Sequence, residues 1–325
     1  MWLLIATTSY FINAGVYVAD KFLLSKRIHS SIAYAFYVGI WSIFNFLLFL
    51  IPGSFFKPTL QEFGLDLIAG MLFLVTLVFW YKALHQSEAT RVVPIVGALT
   101  PIFSFLLSYI FLGESLGERE LLAFVVLIQG GVLISIKHTR IYIAEEAIER
   151  FRNIFGNLLG GVHAQYRPTR RLVFNSIISA FFFASYYVLI KYVYMTQPFV
   201  GGFVWSRLGS FIGVILIFMV PTWRKQIKEH RGETAGTKNM AFFLSVRILA
   251  ALAFIMLNWA ISFEASNVAL INSLQGAQYL FLILLVLFLS SRFPRIMQEE
   301  LGGGVLVQKV IGATLVTTGL YMLIL

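Results

Sequence analysis

The 325-residue sequence contains no cysteine, and only 12% of its residues are charged. The absence of cysteine excludes disulfides and thiolate metal sites. The five histidines lie in predicted connections or at the ends of apolar segments, without the His-x-x-x-His or His-Glu spacing of a ligand set. The sequence also lacks a glycine-rich phosphate loop followed by Lys and Ser or Thr, which argues against ATP-driven transport. We therefore expect no enzyme, no catalytic residue, no metal and no cofactor.

Apolar residues are abundant instead: 59% of the chain is hydrophobic, Phe occurs 32 times, and the mean hydropathy is +0.83. A soluble domain of this length could not bury so much apolar surface, so the composition predicts a membrane protein. Continuous apolar runs, rather than alternating ones, predict helices and not a barrel. The first run has no basic segment before it and is expected to be a retained helix, not a removable signal.

Windows of about 19 residues predict ten spans. They are Trp2–Leu24, Ile32–Ile51, Leu65–Leu84, Val92–Leu112, Leu121–Ile136, Leu172–Tyr194, Val200–Val220, Ala241–Phe263, Val268–Ser290 and Gly303–Leu325.

The net charge of +10 follows the predicted connections. Of the 25 lysines and arginines, 18 lie in or beside the odd-numbered connections and three in or beside the even-numbered ones. Since positive charge stays in the cytoplasm, this bias predicts cytoplasmic odd connections and both termini outside, in a multi-pass protein of the cell (inner) membrane. The basic charge is thus explained by topology, and we expect the lipid bilayer and a small-molecule substrate as partners, with no nucleic acid. A homo-oligomer is left open.

The chain repeats itself. Glu88 in QSEATRVVP and Glu264 in SFEASNVAL each follow the third span of one half, and both precede Ala. Because each half has five spans, an odd number, the halves must enter the membrane from opposite sides. The sequence predicts an all-α polytopic membrane protein, with ten transmembrane helices as two inverted five-helix repeats, residues 1–136 and 171–325. The linker 137–170 contains a stripe of apolar residues every three or four positions, which predicts an amphipathic helix on the cytoplasmic surface.

The segment YKALHQSEATRVVPIVGALTPIFSFLLSYIFLGESL carries Ala-Leu, Leu-x-Pro and Leu-Gly-Glu landmarks. With the glycines of span 5 it resembles the EamA-type repeat of the drug/metabolite transporter superfamily, over nearly the whole chain. The second copy departs from it, because Gln275-Gly276-Ala277 stands where the first has Leu99-Thr100-Pro101. Family members commonly keep both termini in the cytoplasm, and the orientation predicted here follows the charges instead.

The resemblance implies a secondary transporter, an exporter or exchanger of small metabolites or drugs that works by alternating access. It also implies a path lined by spans 1, 3, 4, 6, 8 and 9, with spans 5 and 10 peripheral. The alternative is a membrane enzyme or a non-transporting scaffold that retains the ten-helix frame. A polar, water-reachable cavity between the repeats would favour the carrier.

Candidate substrate-binding residues come from the polar positions of the spans. Asn272, Gln275 and Tyr279 fall at i, i+3 and i+7 and share one helical face, which fits either a substrate site or interhelical hydrogen bonds. Arg207 lies well inside span 7, where a charge must face a cavity or a partner, so it is predicted to anchor a carboxylate substrate or to pair with a buried acid. Arg247 is nearer to a span end and could snorkel to the cytoplasm.

Aromatic and amide side chains near the ends of spans could form a box around a planar or cationic solute, or could be interfacial anchors. These candidates are Asn13, Tyr17, Trp80, Tyr81, Tyr187, Asn258 and Trp259. Glu88 and Glu264 are expected to accept backbone N–H groups at the start of the fourth span of each repeat, and the rival role is proton coupling.

Overall fold

The computed structural model describes residues 1–26, 30–86, 89–135, 170–229, 237–292 and 303–324. All the regular secondary structure in these ranges is helical. The predicted amphipathic helix of the linker and Glu88 lie outside the described residues.

The helices occupy all ten predicted positions. They are α1 (Trp2–Lys26), α2 (Ser31–Ile40), a 3₁₀ helix (Trp41–Leu50), α3 (Leu60–Gln86), α4 (Ala89–Leu112), α5 (Glu118–Ser135), α6 (Arg170–Thr196), α7 (Phe199–Met219), α8 (Pro221–Glu229), α9 (Thr237–Ser262), α10 (Val268–Ser273), α11 (Gln275–Arg292) and α12 (Gly303–Ile324).

Seven helical segments of the described ranges are long and apolar enough to cross a membrane. They belong to α1, α2 with the 3₁₀ helix, α3, α4, α6, α7 and α9. The prediction of a multi-pass helical membrane protein is confirmed. That α5, α10 with α11, and α12 also cross the membrane stays a prediction.

Two predicted spans are not uniform α-helices. The second changes at Trp41 from α-helix to ten residues of 3₁₀ helix, a length that is uncommon for this tighter helix. The hydroxyl of Ser42 donates to the carbonyl oxygen of Arg207 at 3.2 Å, which fixes the 3₁₀ helix against α7. The ninth span is interrupted at Leu274, between α10 and α11. Hydrophobicity alone predicted both as single runs, because it does not depend on the helical period.

Glycines allow close crossings between the two halves of the chain. A Cβ at Gly70 of α3 would lie 1.8 Å from the carbonyl oxygen of Ser206 in α7, and one at Gly209 would lie 2.3 Å from that of Leu67. At the contact of α5 with α12, a Cβ at Gly130 would lie 2.8 Å from the backbone nitrogen of Val316. Only glycine permits such backbone approach.

Helices of the first half pack mainly on helices of the second. The packed pairs include α1 with α9, α3 with α6 and α7, α4 with α6, and α5 with α12. Any space enclosed at the centre is therefore lined by both halves.

Candidate substrate cavity

A cavity of about 140 Å³ lies between the two halves. It is lined by α1, α2 with the 3₁₀ helix, α3, α6, α7 and α9. Its polar and charged lining consists of Asn13, Tyr17, Asp20, Ser42, Asn45, Tyr81, Tyr187, Arg207 and Arg247. Its aromatic walls include Trp41, Phe73, Trp80, Phe183 and Phe254. The cavity thus combines an apolar body with a few polar groups, as ligand sites do.

The lining differs from the expected path. Spans 2 and 7 contribute to the cavity in place of spans 4 and 9. Gly97 gives the physical reason on the α4 side, since a Cβ there would lie 1.5 Å from Oη of Tyr279 and 2.9 Å from Cδ of Gln275. The helices approach too closely at this point to leave a space.

One charged pair joins the halves at the cavity wall. Nη2 of Arg247 in α9 donates to Oδ1 of Asp20 in α1, and both side chains are buried. Tyr34 Oη donates to the same carboxylate oxygen at 2.7 Å and accepts from Arg247 at 3.2 Å. Tyr81 Oη lies 3.4 Å from the other carboxylate oxygen. The carboxylate is therefore charge-compensated and hydrogen-bonded, as a buried ion requires.

This pair corrects the expectation that Arg247 snorkels to the cytoplasm. Its side chain is 5% exposed and points to Asp20. Sequence reasoning had Asp20 as a local counter-charge for its neighbour Lys21. The true partner is 227 residues away along the chain, so no local signal could show it.

Arg207 lies eight residues into α7, about 12 Å from its start. The residue is 2% exposed, and its guanidinium carbon lies 4.6 to 5.5 Å from the ring centroids of Phe73, Tyr186, Phe203 and Phe254. Nη2 donates to Tyr186 Oη at 3.1 Å, whereas Nε has no acceptor. Within the described ranges no carboxylate forms an ion pair with it.

A hydrogen-bonded side chain supports this arginine from behind. Asn258 Oδ1 accepts from Tyr186 Oη at 2.8 Å and from Tyr194 Oη at 3.0 Å. Because Tyr186 donates to Asn258, its hydroxyl oxygen faces Arg207 as an acceptor. Asn258 itself does not line the cavity.

The structure divides the predicted site residues into two groups. Six of them line the cavity: Asn13, Tyr17, Trp80, Tyr81, Tyr187 and Arg207. Five do not: Asn258, Trp259, Asn272, Gln275 and Tyr279. Trp259 is 45% exposed, which suits a lipid-facing or interfacial position. Asn272 Nδ2 donates to Ser104 Oγ in α4 at 2.7 Å, so the geometry favours the interhelical alternative for this face.

At the end of the molecule where α9 finishes, Lys191 of α6 caps that helix. Its Nζ donates to the carbonyl oxygens of Phe263 at 2.7 Å, Ser266 at 3.0 Å and Ile261 at 3.2 Å. A cation at a helix C-terminus is stabilising, and here it is buried among the unpaired carbonyls. The positioning role expected of Lys191 thus has a physical basis.

The start of α10 is capped by residues other than the one predicted. Asn267 Oδ1 accepts the N–H groups of Ala269 and Leu270, and Glu114 Oε2 accepts that of Val268 at 3.3 Å. The expectation that Glu264 accepts these groups was wrong, since Glu264 is exposed. Burial raises the pKa of Glu114 above its ordinary value, and the Val268 N–H and the nearby Lys191 oppose that shift.

A second buried acid lies apart from the cavity. Asp66 of α3 accepts from Gln197 Nε2 at 3.2 Å through Oδ1, and its Oδ2 has no hydrogen-bond partner. Within the described residues it forms no ion pair. Sequence reasoning passed over Asp66 because it lies close to the predicted end of a span.

Residues 1–136 match the sequence model of the EamA-like transporter family, which confirms the resemblance drawn from the sequence over that range. No curated protein matches the chain. A solved structure titled only "Crystal structure of protein" superposes with a TM-score of 0.60 at 13% sequence identity, covering 99% of this chain and 95% of that one. At that identity the likeness concerns the fold alone.

Proposed function

We propose that the protein is a secondary transporter that moves small metabolites or drugs across the cell (inner) membrane by alternating access. In this proposal ten transmembrane helices form two inverted five-helix repeats, residues 1–136 and 171–325, joined by a cytoplasmic linker at 137–170. Two inverted copies around a central site can exchange conformations and open the site to either side in turn.

The observation that carries the proposal is the polar cavity between the two halves. Charged side chains inside a membrane segment cost at least about 2.5 to 3.5 kcal/mol each, so they are kept where they line a pathway or form a pair. Here Arg207, Arg247 and Asp20 surround one space, together with Asn13 and Asn45. A scaffold that used the helices only as a frame would have no need for this space.

The family match supports transport rather than enzymatic chemistry, because it covers the first predicted repeat completely. The α5–α12 contact supports the repeat interpretation, since corresponding last helices of the two halves pack on each other through glycines. A membrane enzyme or scaffold is the alternative, and it predicts that filling the cavity leaves the phenotype unchanged.

The test compares two phenylalanine substitutions on α9. Ala250 lines the cavity, so Ala250→Phe should fill part of it, whereas Leu252 is 47% exposed and Leu252→Phe adds the same ring outside. Cells expressing each variant, the unmodified chain or none are screened for sensitivity to a panel of metabolites and drugs.

A carrier predicts that Ala250→Phe reproduces the sensitivities of cells without the gene, while Leu252→Phe behaves as the unmodified chain does. If both variants, expressed at equal levels, restore the phenotype fully, the cavity is not the transport site.

A further inference from the structure

The charges that line the cavity do not balance. Among its lining residues Asp20 and Arg247 neutralise one another, and Arg207 remains as one cation without a carboxylate partner in the described part of the chain. A buried unpaired charge is costly because the membrane interior and the protein solvate it poorly. The empty cavity therefore carries one uncompensated positive charge, which an anion entering from water would neutralise.

The hydrogen-bonding capacity of Arg207 also exceeds what its surroundings use. A guanidinium carries five N–H donors in a planar fork. The aromatic rings attract its charge but offer no oxygen to its in-plane donors. Nε is buried without an acceptor although the residue lies at the cavity wall. A planar oxyanion with two oxygens matches such a fork through parallel N–H···O bonds.

The cavity walls specify the rest of the ligand. Phe73 and Phe254 lie on both the arginine and the cavity, and Trp41, Trp80 and Phe183 add further apolar surface. A cavity of about 150 Å³ is large enough to hold benzene, and the space found here is of that size. It accommodates a compact carbon skeleton, which inorganic phosphate does not have.

We infer that the cavity binds a small organic monoanion, whose carboxylate pairs with Arg207 and whose flat or apolar body lies against the aromatic walls. The inference rests on the proposed function, because it names the substrate class of the same cavity. A single negative charge is specified since Asp20 already satisfies Arg247. The amides of Asn13 and Asn45 leave room for one additional neutral polar group on the ligand.

Three isosteric probes test the charge requirement directly: benzoate, benzamide and benzamidine, which are anionic, neutral and cationic. Their binding to the purified full-length protein in detergent is measured by calorimetry and by thermal shift. Phthalate tests the preference for a monoanion, hexanoate tests the need for a ring, and inorganic phosphate tests for a general anion site. We expect benzoate to bind and to raise the melting temperature, with much weaker binding of benzamide, benzamidine, phthalate and phosphate.

The variants are Arg207→Gln, Arg207→Lys and, as a control, Arg224→Gln at an exposed arginine of α8. Arg207→Gln should fold, because it removes an unbalanced buried charge. Loss of a hydrogen-bonded charge should weaken benzoate binding by about 10- to 100-fold. Arg207→Lys keeps the charge without the planar fork and should give an intermediate loss, while Arg224→Gln should bind as the unmodified protein does.

Equal binding of benzoate and benzamide would overturn the inference, as would stronger binding of benzamidine or unchanged benzoate affinity in a folded Arg207→Gln protein. Phosphate binding as tight as that of benzoate would mark a general anion site and overturn it too. Absence of binding by both benzoate and hexanoate, up to the solubility of their sodium salts, would also refute it. None of these assays requires transport. A failure of the cavity-filling test with intact benzoate binding would therefore refute the transporter proposal alone.

Discussion

The buried pair of Asp20 and Arg247 should be the strongest single link between α1 and α9. Removing one partner of a buried ion pair leaves the other charge uncompensated and costs about 3 to 5 kcal/mol. Asp20→Asn keeps the shape of the side chain, and Arg247→Met keeps an unbranched apolar stem against Tyr34 and Phe243. Each single substitution should therefore lower the free energy of unfolding by several kcal/mol.

The double variant should be much more stable than the sum of the two losses predicts. Once both charges are gone, no unpaired ion remains buried, and the two effects should couple by about 1 to 3 kcal/mol. The assay is reversible unfolding in mixed micelles with increasing denaturing detergent, followed by tryptophan fluorescence for the four proteins of the cycle. Additivity within about 0.5 kcal/mol would show that the two side chains do not interact and would refute the reasoning.

Asp66→Asn is the matched control for loss of a buried carboxylate. Asp66 has no cationic partner in the described ranges, and one of its oxygens has no donor. The substitution should leave stability at neutral pH unchanged or increase it, because it removes a charge that the structure does not compensate. A loss as large as that of Asp20→Asn would mean that stability follows burial alone and not pairing.

The positions of the helices could be predicted from the sequence because a bilayer permits only segments that satisfy their own backbone hydrogen bonds. Continuous apolar runs therefore marked each helix to within a few residues. The 3₁₀ helix after Ile40 and the interruption at Leu274 could not be predicted, since neither leaves a signature in hydrophobicity. Both depend on neighbouring helices that approach only in the folded chain.

Prediction of the site succeeded where depth in a span was informative and failed where partners were distant. Arg207 was found because a charge so far inside a span requires an explanation. The partner of Arg247 was missed because Asp20 lies in the other half of the chain. Asn272 was offered as a substrate ligand on its spacing alone, and its bond to Ser104 shows that the same spacing also serves helix packing.

Three further outcomes are expected. Gly70→Ala places a Cβ 1.8 Å from a backbone oxygen of α7 and should greatly reduce folded protein on size-exclusion chromatography, whereas Gly15→Ala, with nothing within 4 Å, should be tolerated. Because burial raises the pKa of Glu114, its ionisation opposes folding. Stability should therefore fall as pH rises from the ordinary glutamate pKa through the raised one, and Glu114→Gln should remove that fall in thermal melts. Since the chain has no cysteine, Lys57→Cys and Lys225→Cys can each be labelled alone, and an impermeant thiol reagent should reach the former outside intact cells and the latter only after lysis; the opposite pattern would reverse the predicted orientation.

Access to the cavity from both sides of the membrane tests alternating access most directly. Asn45 lines the cavity, and its neighbour Phe44 is 52% exposed on the outside of the helices, so Asn45→Cys and Phe44→Cys form a matched pair. Each variant is treated with an impermeant, water-soluble thiol reagent in sealed right-side-out and sealed inverted vesicles. The account predicts that Asn45→Cys reacts in both preparations, while Phe44→Cys, facing lipid, reacts in neither. Reaction of Asn45→Cys from one side only would contradict alternating access through this cavity.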